Sequence, residues 1–343
     1  GKARLCYSAE LKKVGTATAL GMPCLVLAAA SVGDYALFAG RYQHLIMLGS
    51  PLPIDAYDTS LTKSSPTALS AERKDCGAAS IGDHALFAGG GDEHGNKVQS
   101  SVDAYDTSLT RSSAPALTGP RRLVGAAIAG DHALFAGGVN RSGDTTRYYK
   151  TVDAYSASLT RTSVDTMSSG NGYSLKGTTV NKYALFAEEQ YDSRVEAYSP
   201  SLTRVTVSPL SRSSPAYVVA TAVGNYAIFS GSSPTADVYD GSLTKTTASI
   251  LNRGRSSMAA VTVGDYALFA GGCPSTDTQS SQGAVDDVDA CDSSLTRTTA
   301  AARSVKVTDS VAATVGDYAL FAGGYKYSTS NSGYSDTVDV YTA

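Results

Sequence analysis

An octapeptide repeated seven times, a second motif following each copy, and a composition rich in Tyr, Ser, Thr, Ala and Gly without Trp together predict an all-β fold. The octapeptide reads Gly-Asp-Tyr-Ala-Leu-Phe-Ala-Gly, and the second motif reads Val-Asp-Ala-Tyr-x-x-Ser-Leu-Thr. One such unit cannot bury its own apolar faces, so it must stack on its neighbours. The architecture expected is a seven-bladed β-propeller of four-stranded antiparallel blades over residues 1–343, with blades anchored at Gly33, Gly82, Gly130, Asn181, Gly224, Gly264 and Gly316.

The unit around Gly130 shows the expected order of elements. Val124 to Ala129 is a strand with small residues on both faces, which suits the crowded position next to a central axis. Gly130-Asp131 makes a tight hairpin turn. His132 to Ala136 is a second, apolar strand closed by Gly137-Gly138, and after a longer loop Thr151 to Tyr155 is a third. The polar run Thr110 to Ser113 is the outer strand that precedes the unit, joined to it by a Pro-containing crossing. Strands apolar on both faces describe a sheet packed between two others.

Closure follows from the ends. The last second motif, Val338 to Tyr341, is followed by no outer strand, whereas Tyr7 to Leu11 echoes the sequence that leads into one. Residues 1–20 are therefore expected to supply the closing outer strand, around Leu11 to Leu20, and so to remove the free edge. Arg4 to Tyr7 is a partial copy of the third strand, and the better match at Val338 to Tyr341 is expected to take that slot.

The spacing and wording resemble kelch repeats. The anchors lie 49, 48, 51, 43, 40 and 52 residues apart, against a kelch period of about 50. Gly89-Gly90, Gly137-Gly138, Gly271-Gly272 and Gly323-Gly324 end the apolar strand as in that family, and Tyr57-Asp58, Tyr105-Asp106 and Tyr239-Asp240 follow. The resemblance covers nearly the whole chain. It departs at the missing outer-strand Trp and at Glu188-Glu189 in the fourth copy. It implies a propeller that binds proteins or glycans, with enzymes in a minority, and the wording is also similar to kelch-type arrays of bacteria and phages.

Other classes find little support in the sequence. The net charge of −3, without a block of like charge, gives no electrostatic footprint for nucleic acid. The apolar run at Leu25 to Ala30 is far shorter than the ~20 residues needed to cross a bilayer. The five Cys form no Cys-x-x-Cys pair; Cys76 and Cys291 read as small core residues. Gly1 in place of Met suggests one domain of a longer polypeptide or the product of tag cleavage. A monomeric propeller without cofactor or metal is expected. Nucleophile elbows and His-Glu-x-x-His are absent, and a copper site would need His44 and His94 together with a Cys–Tyr pair that the sequence does not indicate.

Length variation points to the binding face. From the Leu of Ser-Leu-Thr to the next anchor the chain runs 21 or 22 residues, but the loop between the two motifs runs 13, 12, 14, 6, 4, 16 and 14 residues. Those loops and the blade crossings share one face, and variable loops on a rigid frame carry binding residues. The candidate ligand-binding residues are Tyr42, His44, His94, Arg141, Tyr148, Tyr149, Tyr191, Tyr325 and Tyr327. To these are added Arg73, Arg121 and Arg255, each nine residues before its anchor. In some kelch propellers arginines at such positions contact ligands; the other reading pairs them with the recurring acid of the second motif. That acid, at Asp55, Asp103, Asp153, Glu196, Asp237, Asp289 and Asp339, is expected to be structural because it repeats with every blade.

Overall fold

The computed structural model describes residues 10–42, 54–92, 97–142, 145–168, 173–188, 192–211, 218–274, 283–326 and 332–343. Seven four-stranded antiparallel sheets form a closed ring, each a meander that runs outward from the axis. In the third blade the strands are Gly125–Ala129, His132–Ala136, Val152–Ser156 and Arg161–Ser163. The seventh takes Val311–Val315, Tyr318–Ala322 and Val338–Thr342 from the C-terminal end and Lys12–Thr16 from the N-terminal end. Lys12 pairs with Thr342 and Thr16 with Asp339, so the two ends zip into one sheet.

The first hairpin of each blade turns on its anchor. Ala129 pairs with His132 across Gly130-Asp131, and Gly130 has a φ of 55°. Only the first central residue of that turn is left-handed, the arrangement in which glycine is favoured. The fourth blade substitutes Asn181-Lys182, with φ of 46° and 66° at both positions, and so changes the turn type while keeping the two-residue loop.

The second hairpin explains Ser-Leu-Thr. Leu109 has a φ of 61°, and Leu61, Leu159, Leu202, Leu243 and Leu295 lie within a few degrees of it. A left-handed leucine costs about 1–2 kcal/mol. Two gains offset that cost. The Asp106 carboxylate accepts the N–H groups of Ser108 and Thr110, both at 2.9 Å. The Leu109 side chain packs on the cluster it shares with the preceding blade.

Burial is organised between blades, not within them. Seven apolar clusters each combine residues of two consecutive blades, and the one built on Phe38 and Tyr57 with Val315, Leu320 and Val338 joins the first blade to the last. The octapeptide Phe meets the Tyr of the second motif edge to face in six blades, with ring centroids 5.7–6.2 Å apart. In the sixth blade Cys291, fully buried, stands in that Tyr position.

Around the axis, Ala29, Ala78, Ala126, Gly177, Ala220, Ala260 and Ala312 line a cavity of about 400 Å³. Hydroxyls bridge the exposed backbone edges of the innermost strands. Thr179 Oγ1 accepts from Ile128 N at 2.9 Å and donates to Ile128 O at 3.0 Å, and Ser80 makes the same double contact with Ser31. These contacts satisfy inner-strand groups that no ladder pairs.

Candidate functional site

The long-loop face is built on a repeated clamp. In every blade the acid on the third strand accepts a backbone N–H from the crossing that leads in: Gly21, Ser70, Thr118, Ser168, Ser211, Asn252 and Ser304 donate to Asp55, Asp103, Asp153, Glu196, Asp237, Asp289 and Asp339. A basic residue directly after Ser-Leu-Thr reaches the same carboxylate from the outer strand, as Arg111 does at 3.3 Å and Arg297 at 2.9 Å. Lys13 does so at 3.0 Å in the closing blade. The acid thus holds the crossing to the blade, a structural role.

Arg73, Arg121 and Arg255 belong to this clamp. All three are at most 1 % exposed. Their guanidinium groups lie 3.0, 2.8 and 2.7 Å from Asp103, Asp153 and Asp289. Arg73 also donates to the Gly89 and Ser101 carbonyls, and Arg255 to those of Gly271 and Asp287. The structure therefore places these three in the frame and not at a ligand-facing surface. Burial disfavours the charge of Arg255, whose pKa lies below the usual arginine value.

A fourth member escaped the sequence reading. Arg303 donates Nε to Asp339 at 3.0 Å in the seventh blade. It lies 13 residues before its anchor, not nine, because buried Val307 occupies the equivalent place. Burial opposes the charge of Asp339, but hydrogen bonds from Ser304 and the Arg303 guanidinium outweigh it and hold the carboxyl below the usual range. A signal was present. The four blades that hold a buried arginine are those that end the second strand in Gly-Gly. At Gly272, with φ of 92°, a Cβ would lie 2.4 Å from the Ser256 carbonyl of the passing crossing.

The loops on this face carry structure of their own. In the third blade Val139–Ser142 pairs with Thr145–Tyr148 as a hairpin. Arg141 is exposed, and Tyr148 is 40 % exposed. Tyr149, by contrast, is only 5 % exposed, and Arg121 and Arg147 lie 5.6 and 4.9 Å from its ring centroid. It supports the hairpin from below and offers no open surface. Tyr325 is half-buried and meets Tyr334 edge to face at 5.4 Å, in a second small hairpin on the seventh blade. Tyr42 ends the second strand of the first blade, its side chain outside the described residues. His44, His94, Tyr191 and Tyr327 lie outside the described residues.

One acid on this face stands apart. Glu188 replaces the closing glycine of the fourth octapeptide and pairs with Leu175, which lines the axial cavity. It is 6 % exposed, and its Oε1 has no hydrogen-bond partner. Burial, with the nearby Asp192 carboxylate adding to it against Arg194, pushes its pKa up to about 7. Asp192, hydrogen-bonded by Arg194, lies below the ordinary value despite burial.

Metal and thiol chemistry gain no footing among the described residues. No group of three or more His, Cys, Asp or Glu is placed to hold a metal ion there. In the acidic run, Asp287 pairs with Arg253 at 2.7 Å and Asp289 with Arg255 and Arg297. Burial pushes the thiols of Cys76 and Cys291 up to about 12, far from a reactive thiolate. Among the described residues no helix is long and apolar enough to cross a membrane.

No protein-family model matches the chain, and no match was found among curated proteins. Among solved structures it is similar to that of YjhT, with a TM-score of 0.58 at 12 % identity, over 78 % of this chain and 94 % of the other. At that identity the likeness is one of fold.

Proposed function

We propose that this propeller is a non-enzymatic, kelch-type recognition module that binds a glycan or protein through its long-loop face, within a larger bacterial or phage-encoded surface or tail protein. One observation carries the reading. Length varies between blades on that face alone, and there the third blade raises a hairpin that exposes Tyr148 and Arg147 above buried Tyr149 and Arg121. An exposed tyrosine on a braced ribbon offers contact area at little rotamer cost. The frame beneath contributes rigidity, since its acids and buried arginines are paired with each other.

The test is a glycan array and a panel of surface proteins probed with the wild type and with Tyr148→Ala. The variant is expected to lose signal on whatever the wild type retains. Equal retention by both, or no retained ligand, would count against recognition through this hairpin.

Glu188 favours a second reading, an enzyme acting on glycans from the same face. A buried carboxyl near pH 7 beside one held ionised is an arrangement suited to general acid–base work. Turnover of an arrayed sugar that Glu188→Gln abolishes would replace the binding-only reading.

A further inference from the structure

Among the described residues the pairing of arginine with carboxylate is close to complete, and its two exceptions fall together. Every arginine whose side chain is described lies within 4 Å of an Asp or Glu oxygen, except Arg141 and Arg147. Both are on the third-blade hairpin, where Asn140 pairs with Arg147 and Arg141 with Thr146. Lys150, two residues beyond the hairpin, is exposed and has no carboxylate partner among the described residues either. A chain with a net charge of −3 thus gathers within ten residues of one ribbon three cations that no described carboxylate pairs, two of them its only such arginines among the described residues.

The register decides how they are presented. Side chains alternate across a strand, so Arg141 shares a face with Thr146 and Tyr148, while Arg147 lies on the other with Asn140. Arg141 and Tyr148 are diagonal neighbours, about 7–8 Å apart in such a pair. Arg147 is held over the Tyr149 ring. No single concavity gathers the two guanidinium groups, so a small anion could meet only one of them. An extended polyanion draped over the ribbon would meet both, and Lys150 besides.

We propose that this hairpin docks an acidic polysaccharide, one with carboxylate or sulfate groups spaced along its chain. The inference rests on the recognition reading above and names the ligand class for that same face. Guanidinium forks match carboxylate and sulfate oxygens, and the exposed Tyr148 ring can cover the apolar face of a sugar. A protein partner fits less well, because its interface needs an apolar core. Tyr148 and the distant Val14 are the only exposed large apolar side chains among the described residues. Nucleic acid fits less well too, since its affinity grows with the number of phosphates neutralised, and the ribbon has only three cations in an acidic chain.

The experiment measures binding of the intact chain to immobilised polygalacturonate and heparin. Dextran serves as the neutral polymer, and polyglutamate and duplex DNA as polyanions of other classes. Binding to at least one acidic polysaccharide should exceed binding to the three others and weaken as salt rises. Arg141→Ala/Arg147→Ala should reduce it about tenfold or more. Lys182→Gln, in the first turn of the fourth blade on the opposite face, should leave it unchanged, and the melting temperatures of all variants establish that each is folded. Failure of both polysaccharides to bind, equal binding by the double variant, or polyglutamate or DNA bound as tightly would overturn the proposal. If neutral glycans or a protein bind through this face while acidic polysaccharides do not, the ligand class is wrong and the recognition reading stands. If nothing binds, both fall.

Discussion

Replacing Asp153 by Ala isolates the clamp that the repeats share. The Asp153 carboxylate is fully buried and accepts Thr118 N at 2.9 Å, Thr118 Oγ1 at 2.5 Å and Arg121 at 2.8 Å. Arg121 depends on it heavily, since its Nε has no acceptor and its other contacts are carbonyls at 3.3 and 3.5 Å. Asp153→Ala therefore leaves an uncompensated buried cation, at a cost of about 3–5 kcal/mol. With an unfolding entropy of about 2.1 cal/mol/K per residue, the chain loses about 1.4 °C of Tm per kcal/mol, so the fall is about 4–7 °C. The double variant Arg121→Met/Asp153→Ala removes the stranded charge. What then persists is the orphaned Thr118 donors, about 1–3 kcal/mol, or about 1–4 °C. The double variant should therefore be more stable than the single one, and calorimetry on the wild type and the variants reads that sign directly. A double variant that melts below Asp153→Ala would show that Arg121 draws its stability from elsewhere, and the clamp argument would fail.

Three further outcomes are expected. Deleting residues 1–20 removes the outer strand that pairs with Val338–Thr342 and the Lys13–Asp339 contact; thermal unfolding should shift strongly downward, and an unchanged Tm would refute closure by the N-terminal strand. Thr179→Val orphans both the N–H and the carbonyl of Ile128 on an inner-strand edge, a loss of about 1–3 kcal/mol that urea titration would resolve; a variant as stable as the wild type would show that water replaces the hydroxyl. Glu188 has a folded pKa of about 7 against an ordinary 4.5, so the native state holds the extra proton. Its contribution is full below about pH 4.5 and is lost as pH rises through about 7. Glu188→Gln should flatten the fall in Tm over that window, and an unaltered slope would sink the assignment. Asp339, whose pKa is lowered, works in the opposite sense: its contribution is present above its ordinary 3.8 and lost as pH falls further.

The frame was legible because its chemistry repeats. Anchor spacing, the Tyr-x-x-Ser-Leu-Thr offset and the echo of that motif near Leu11 each state a pairing that returns in every blade, and the sheets follow them. The third-blade hairpin shows where such reading stops. Tyr148 and Tyr149 are adjacent and identical in type, yet one is open and the other buried under two guanidinium groups. Their difference depends on register, which a loop met as sequence does not declare, although Val139 to Tyr148 around Ser142-Gly143-Asp144 carries strand and turn residues that could have suggested a ribbon.

The arginines show the same limit from the other side. Arg73 and Arg141 are equally plausible ligand contacts on paper, and what separates them is whether an acid from another strand arrives within reach. For Arg73 the acid is Asp103, 30 residues away in the chain, and it is delivered by the blade's third strand. For Arg141 no described strand delivers one. The repeat that makes the fold readable also supplies each blade with an acid to consume its clamp cations, so function has to be sought where a blade adds cations outside that pattern. On this chain the third-blade hairpin is such a place, which is why its two arginines, and not the three at the repeated position, carry the ligand hypothesis.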